Sequence, residues 1–202
     1  MTQTWLSVDV VALTEDEPVS RIVLIRRAGT PHRGATTLPG GLLAAEQGET
    51  VEQAARRIVR DKAGTEITGG IVVVDVVSDP ARDERGHTVS IVVAARVPGG
   101  TEGAIAVAEI PDAMPFQHNA IAHAALTRIG ERLLADASTT YALLGPETTF
   151  VEVYSLLRAC TAITDTAARA RLDRSPLYAR TGRSRKPAGS GRPARVYRRP
   201  PR

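Results

Sequence analysis

Apolar residues follow two rhythms along this chain. From Leu6 to Leu13 and from Arg21 to Ile25 they are mostly β-branched and closely spaced, with the turn-forming TEDEPVS between the runs, and this predicts two strands. Ile71 to Val77 and Val89 to Val97 predict two more, linked by DPARDERGH, and Ala104 to Ile110 a shorter one. Pro31 to Thr37 reads as a loop. The second rhythm is helical. Val51, Ala54, Ala55, Ile58 and Val59 share one face of a helix predicted from Glu49 to Ala63, which Gly64 stops. Ala122, Ala125, Leu126, Ile129 and Leu133 do the same for a helix from His118 to Ala135.

Beyond that helix, DASTTYALLGPE (Asp136 to Glu147) reads as a connector. A helix from Thr149 to Cys160 follows, with Phe150, Val153, Tyr154 and Leu157 on one side, then a short helix from Asp165 to Leu172. The last stretch mixes Gly and Pro with many basic residues and ends on the β-like ARVYR. Helix, short connection, basic helix and a Gly/Pro-rich basic hairpin is the order of a winged helix-turn-helix, whose second helix enters the major groove while the wing touches backbone.

Charge sharpens this division. The net charge of +4 splits into −6 over residues 1–150 (13 Lys and Arg against 19 Asp and Glu) and +10 over residues 151–202 (13 against 3). An acidic body with a basic C-terminal quarter points to a polyanionic partner for that quarter. Arg169 and Arg171 lie in the short helix and Arg174 just after it, while Arg183, Arg185, Lys186 and Arg192 populate the hairpin. Guanidinium groups suit guanine edges and phosphates, so duplex DNA is the expected partner. A solvated basic tail is the plainer reading, but a tail has no need of the apolar stripe on the preceding helix. Aromatics are only 3% of the chain, so its cores rest on aliphatic residues. No apolar run approaches a membrane span, and no secretory signal opens the sequence. Cys160 stands alone, which rules out an internal disulfide and suits the cytoplasm.

The segment LPGGLLAAEQGETVEQAARRIVRDKAGTEI, Leu38 to Ile67, resembles a Nudix box. Gly41 opens it, Glu49 follows after an insertion of two residues, and Arg57 and Gly64 are in register. A Nudix enzyme cleaves a pyrophosphate bond with magnesium-type ions, which need several carboxylates on one helix face. Three late glutamates of the pattern are here Ile58, Asp61 and Lys62. Ile58 offers no oxygen and Lys62 an ammonium, so no metal site and no catalytic set is expected. Glu49 and Arg57 read as a structural ion pair. His118 and His123 read as packing or capping residues. Arg26 and Arg27 at the end of a strand, the Gly40-Gly41 turn, and Arg82 and Arg85 in RDERG could still hold a phosphorylated ligand.

A Nudix domain with a damaged box, followed by a winged helix, resembles the Nudix-related transcriptional regulators of NAD metabolism. RDERGHTVS (Arg82 to Ser90), FQHN (Phe116 to Asn119) and TGRSRKPAGSGRPARVYR (Thr181 to Arg198) carry the likeness. The family's Asn-Phe-Arg-Arg in the reading helix is replaced by TAARAR, Thr166 to Arg171, and its Trp-Ala before Leu-Pro-Gly-Gly by Thr36-Thr37. The resemblance implies an α/β fold, a Nudix-like α/β/α sandwich with a mixed sheet, then a small winged helix-turn-helix. The expected division is 1–137 as ligand sensor, 138–147 as connector and 148–202 as DNA-binding domain. It implies a repressor of NAD-metabolism genes that senses ADP-ribose or a related nucleotide; no cofactor is expected, and a homodimer is, because winged-helix readers commonly match two half-sites with two-fold symmetry. The rivals are an active Nudix pyrophosphohydrolase with an altered metal site and an RNA-associated protein with a basic tail.

Overall fold

The computed structural model describes residues 4–16, 19–186 and 193–201. Its centre is β1 (Trp5–Thr14), which lies parallel to β7 (Thr88–Val97) along its full length and antiparallel to β2 (Ile22–Val23) and β5 (Gly40–Leu42). Antiparallel β6 (Ile71–Val77) and β8 (Ala104–Ile105) complete a mixed six-stranded sheet, and β3 (Ile25–Arg26) pairs with β4 (Thr36–Thr37) beside it. Alternation along β1 assigns each side chain a face. Val8, Val10 and Ala12 pack with Ala54, Ala55, Ile58 and Val59 of α1 (Val51–Ala63). Val11 and Leu13 pack with Ile121, Ala125 and Ile129 of α2 (His118–Arg132) on the other side. Covered on both faces, β1 is nearly all apolar, and the one carboxylate within it, Asp9, is buried.

Local chemistry sets the helix ends. Thr50 and Gln53 form a reciprocal capping box at the start of α1, and Gly64 ends it in a left-handed conformation. The second cluster of helices follows at once, without the expected connector. Residues Ala137–Leu144 form α3, capped by Asp136, whose carboxylate accepts from Thr139 N at 2.8 Å. Its Leu143 enters the core, and Gly70 N donates to Ala142 O at 3.1 Å. Then come β9 (Glu147–Thr149), α4 (Phe150–Cys160), α5 (Asp165–Arg174), β10 (Ala179–Arg185) and β11 (Ala194–Arg198). The three strands join in the order β10-β11-β9 and, with α4 and α5, give the winged helix. The segment read as a connector is thus helical, and its helix packs against β6, β7 and α2. The expected strand Ala104 to Ile110 also differs: after Ile105 the chain turns through a 3-10 helix, Val107–Glu109. One apolar core runs from α2 through Leu143, Leu156 and Leu157 to Leu172 and Tyr178, so the two units are packed together. No helix among the described residues is long and apolar enough to cross a membrane.

Candidate functional site

At the end of the central sheet, β1, β3, β5, the end of α1, the β6–β7 loop and the start of α2 enclose a cavity of about 390 Å³. That volume suits a small molecule of roughly nucleotide size. Arg26, Arg27, Gly40, Gly41, Arg82 and Arg85, the six candidate ligand residues, all line it. They do not have equal freedom. Arg82 lies beneath the floor with its side chain only 3% exposed. Its Nη1 faces Asp9 Oδ2 at 3.6 Å and donates to Phe116 O at 3.4 Å, and its Nη2 donates to Thr88 O at 3.4 Å. The expectation of a loop arginine open to ligand therefore changes: most of this guanidinium stabilises the floor. Arg26 is exposed and donates to Gly34 O, which steadies the loop after β3.

Asp9 organises the floor. It accepts a hydrogen bond from Ser90 Oγ and faces His118 Nε2 at 3.6 Å. His118 Nδ1 accepts from Leu38 N at 3.1 Å, which leaves the ring proton on Nε2, toward Asp9. Burial is the main cause holding the His118 pKa below the usual histidine value; Asp9 opposes it, while Arg82, Arg27 and Lys62 reinforce it. His118 is thus a packed residue, as its sequence context suggested, but one packed into the site.

Above the floor, Phe116 presents its ring to two cations. Arg27 lies 4.9 Å and Arg85 5.1 Å from the ring centre, and His32 meets it edge-on. Phe116 and Gln117 both have φ near +59°, a region bulky residues rarely adopt. Arg85 is answered by a bidentate contact to Asp83, at 2.9 and 2.7 Å. Arg27 is anchored by the carbonyls of Pro31 and Thr30, and burial followed by the charge of Arg85 lowers its pKa, a sign of crowded positive charge.

The box helix supplies the remaining wall. Arg57 grips Glu49 through two hydrogen bonds of 2.6 and 2.8 Å, and Glu49 also accepts from Ala44 N. This pair fastens the loop before α1. Ile58 is fully buried in the core, Asp61 is half exposed and turned to Arg60, and Lys62 Nζ donates to Gly40 O. These residues do not fit a magnesium-type ion: one is hydrocarbon, one is an ammonium, and the remaining carboxylate stands alone. Among the described residues no three His, Cys, Asp or Glu side chains come together as a metal site. Lys62, Phe116, Asp9 and His118 are among the pocket residues that sequence reasoning did not select.

The basic residues of the winged helix are placed less uniformly than their composition suggests. Arg169 is exposed on α5, paired with Asp165 at 2.7 Å and lying 3.7 Å over Phe150. Arg171, expected beside it on a base-facing surface, turns inward. Its Nη2 donates to Glu131 O at 2.8 Å and Leu133 O at 2.7 Å, at the end of α2. The free carbonyls of a helix C-terminus attract a cation there. Arg174 lies within α5 and donates to Ala170 O. In β10, Arg183 pairs with Glu147 and Arg185 with Glu152, and the adjoining Lys186 is exposed. Arg192 falls outside the described residues.

A family model described as NUDIX domain matches residues 4–136. An ADP-ribose pyrophosphatase of Methanocaldococcus jannaschii is 42% identical over 84 residues, which cover 42% of this chain and 48% of that protein. The match thus spans about half of that relative. The crystal structure of Shewanella oneidensis NrtR complexed with a 27mer DNA superposes with a TM-score of 0.68 at 23% identity, covering 96% of this chain and 93% of that one. A MutT/nudix family protein from Enterococcus faecalis gives 0.68 at 19% identity, covering 98% and 89%. The NUDIX domain of Shewanella oneidensis NrtR complexed with ADP ribose gives 0.54 at 22% identity, covering 64% and 90%. At these identities the likeness is one of fold, and in the first two it extends over both units of the chain.

Proposed function

Since the chain belongs to the Nudix family, we propose that it is a DNA-binding transcriptional regulator whose Nudix domain binds ADP-ribose or a related nucleotide without hydrolysing it. One observation carries this reading: the pocket keeps its cations and aromatic ring while its box helix presents Ile58 and Lys62 where hydrolysis needs carboxylates. Retained binding without the means of cleavage describes a sensor.

The winged helix gives the sensor its output. Its fold matches a structure solved with DNA, and residues 151–202, which hold α5 and the wing, carry a net charge of +10. The shared core between the units supplies a physical route for coupling, because a ligand that binds one arrangement more tightly shifts the population of both. Two copies reading two half-sites would suit a winged helix, and NAD-metabolism genes are the regulated set that an ADP-ribose effector implies.

The rival is a pyrophosphohydrolase, which the ADP-ribose pyrophosphatase relative favours. The deciding experiment uses the full chain. ADP-ribose is titrated calorimetrically, its turnover is followed with magnesium and manganese, and duplex from upstream of the chain's own gene is titrated with and without it. Binding without turnover, with a change in DNA affinity and about tenfold weaker ligand binding in Phe116→Ala, is expected. Metal-dependent turnover that Asp61→Ala abolishes would establish the rival.

A further inference from the structure

We infer that the ammonium of Lys62 is a built-in cation for a diphosphate group, so that the pocket binds its ligand without a divalent metal; this rests on the nucleotide-binding reading above. Lys62 sits in the last turn of α1, at a box position where the family pattern has a glutamate. Its chain crosses to β5 along the exposed rim of the cavity. There Nζ donates to Gly40 O and lies 3.5 Å from where a side chain at Gly41 would begin. An ammonium has three donors. The carbonyl takes one, and among the described residues no carboxylate lies within 4.0 Å of Nζ to take the others.

The neighbouring charges leave a need for an anion. Asp9 is occupied by Ser90, Arg82 and His118, Asp83 by Arg85, and Asp61 by Arg60. Arg27 and Lys62, held by carbonyls alone, therefore face one cavity with no carboxylate among the described residues to answer them, while Arg85 beside them is paired with Asp83. Burial first, and Arg27 next, hold the Lys62 pKa below the usual lysine value. The same field repels a divalent cation and attracts a diphosphate. Lysine is a compact point-charge donor to phosphate oxygens, and its tether to Gly40 holds the charge in place beforehand.

The test is calorimetric titration of the full chain with ADP-ribose, inorganic pyrophosphate and adenosine, each in EDTA and in magnesium. Wild type is expected to bind ADP-ribose equally in both. Lys62→Met should weaken ADP-ribose and pyrophosphate about tenfold or more, leave adenosine unchanged, and be largely rescued by Lys62→Arg. A magnesium requirement in wild type, an unaffected Lys62→Met, or an equal loss of adenosine would overturn the inference. Metal-free pyrophosphate binding that needs Lys62, with no ADP-ribose binding, would uphold the cation and sink the ADP-ribose reading. Binding of neither would end both.

Discussion

Gly40 stands opposite Asp9 in the antiparallel pairing of β5 with β1, and a Cβ at Gly40 would overlap Asp9 Oδ1. The carboxylate cannot simply retreat, because Ser90, Arg82 and His118 surround it. Gly40→Ala is therefore expected to cost about 1–3 kcal/mol, the range for overpacking a filled site. At Gly41 a Cβ would meet Ile58 at 3.4 Å and Lys62 Nζ at 3.5 Å, ordinary contacts, so Gly41→Ala should cost clearly less. Denaturant midpoints of the two variants measure the difference, and equal losses would refute the role given to Asp9.

This relationship shows what the sequence could and could not reveal. The alternating faces of β1 and α1 were legible because burial repeats at the strand and helix periods. Asp9 was also visible as one acid inside an apolar run, but its partners lie 73 to 109 residues away, in Arg82, Ser90 and His118, and only the fold brings them together. The helix α3 was hidden by its composition. Ser138, Thr139 and Thr140 are weak helix formers that read as a loop, although Asp136 before them and Gly145 after them are ordinary helix boundaries. Arg171 failed for another reason. Composition gives the number of cations on a helix, whereas its direction depends on which carbonyls α2 leaves open.

Two ionisable groups should mark the stability profile in separate pH windows. His118 is neutral in the fold because its pKa is depressed, chiefly by burial. As pH falls below about 6.5, where an unfolded histidine takes up a proton, the unfolded chain binds more protons than the native one. Stability is then lost, down to the lower folded value. Glu49 is held at about 2 by its hydrogen bond to Arg57, so its contribution is complete above about 4.5 and lost between 4.5 and 2. Melting curves from pH 3 to 8 should lose the upper slope in His118→Asn and the lower slope in Glu49→Gln. Unchanged slopes would show that neither group is coupled to folding.

Arg169 and Arg171 should separate cleanly although they are two positions apart. Arg171 holds two carbonyls at the end of α2. Its replacement by Ala is expected to lower stability by about 2 kcal/mol and to weaken operator and scrambled duplex by the same factor. Arg169 is exposed, and its ion pair with Asp165 contributes little to stability. If α5 reads the major groove, Arg169→Ala should cost about 1–3 kcal/mol on operator and much less on scrambled DNA. Thermal melts with parallel DNA titrations distinguish the two. Should Arg169→Ala weaken both duplexes alike, α5 is not the sequence reader.

If the wing meets DNA as proposed, it must give up internal partners. Glu147 accepts from both Arg183 and Arg198, and these contacts, the Arg198 hydrogen bond foremost, lower its pKa. Both arginines are exposed, so the pairs add little to folding, yet on the proposed reading each would be exchanged for a phosphate contact on DNA. Glu147→Gln removes that competition and a negative charge beside the backbone. It is expected to tighten binding to operator and scrambled duplex alike, by about two- to fivefold at low salt, with the gain fading as salt screens the site. Arg183→Ala should act in the opposite sense, weakening all duplexes and flattening the log–log salt dependence by about one unit. Titrations at several salt concentrations read both effects. If Glu147→Gln left affinity unchanged while Arg183→Ala lowered it, Arg183 would reach DNA from a position its pairing with Glu147 does not govern. If neither variant changed affinity, the wing would not touch the phosphate backbone.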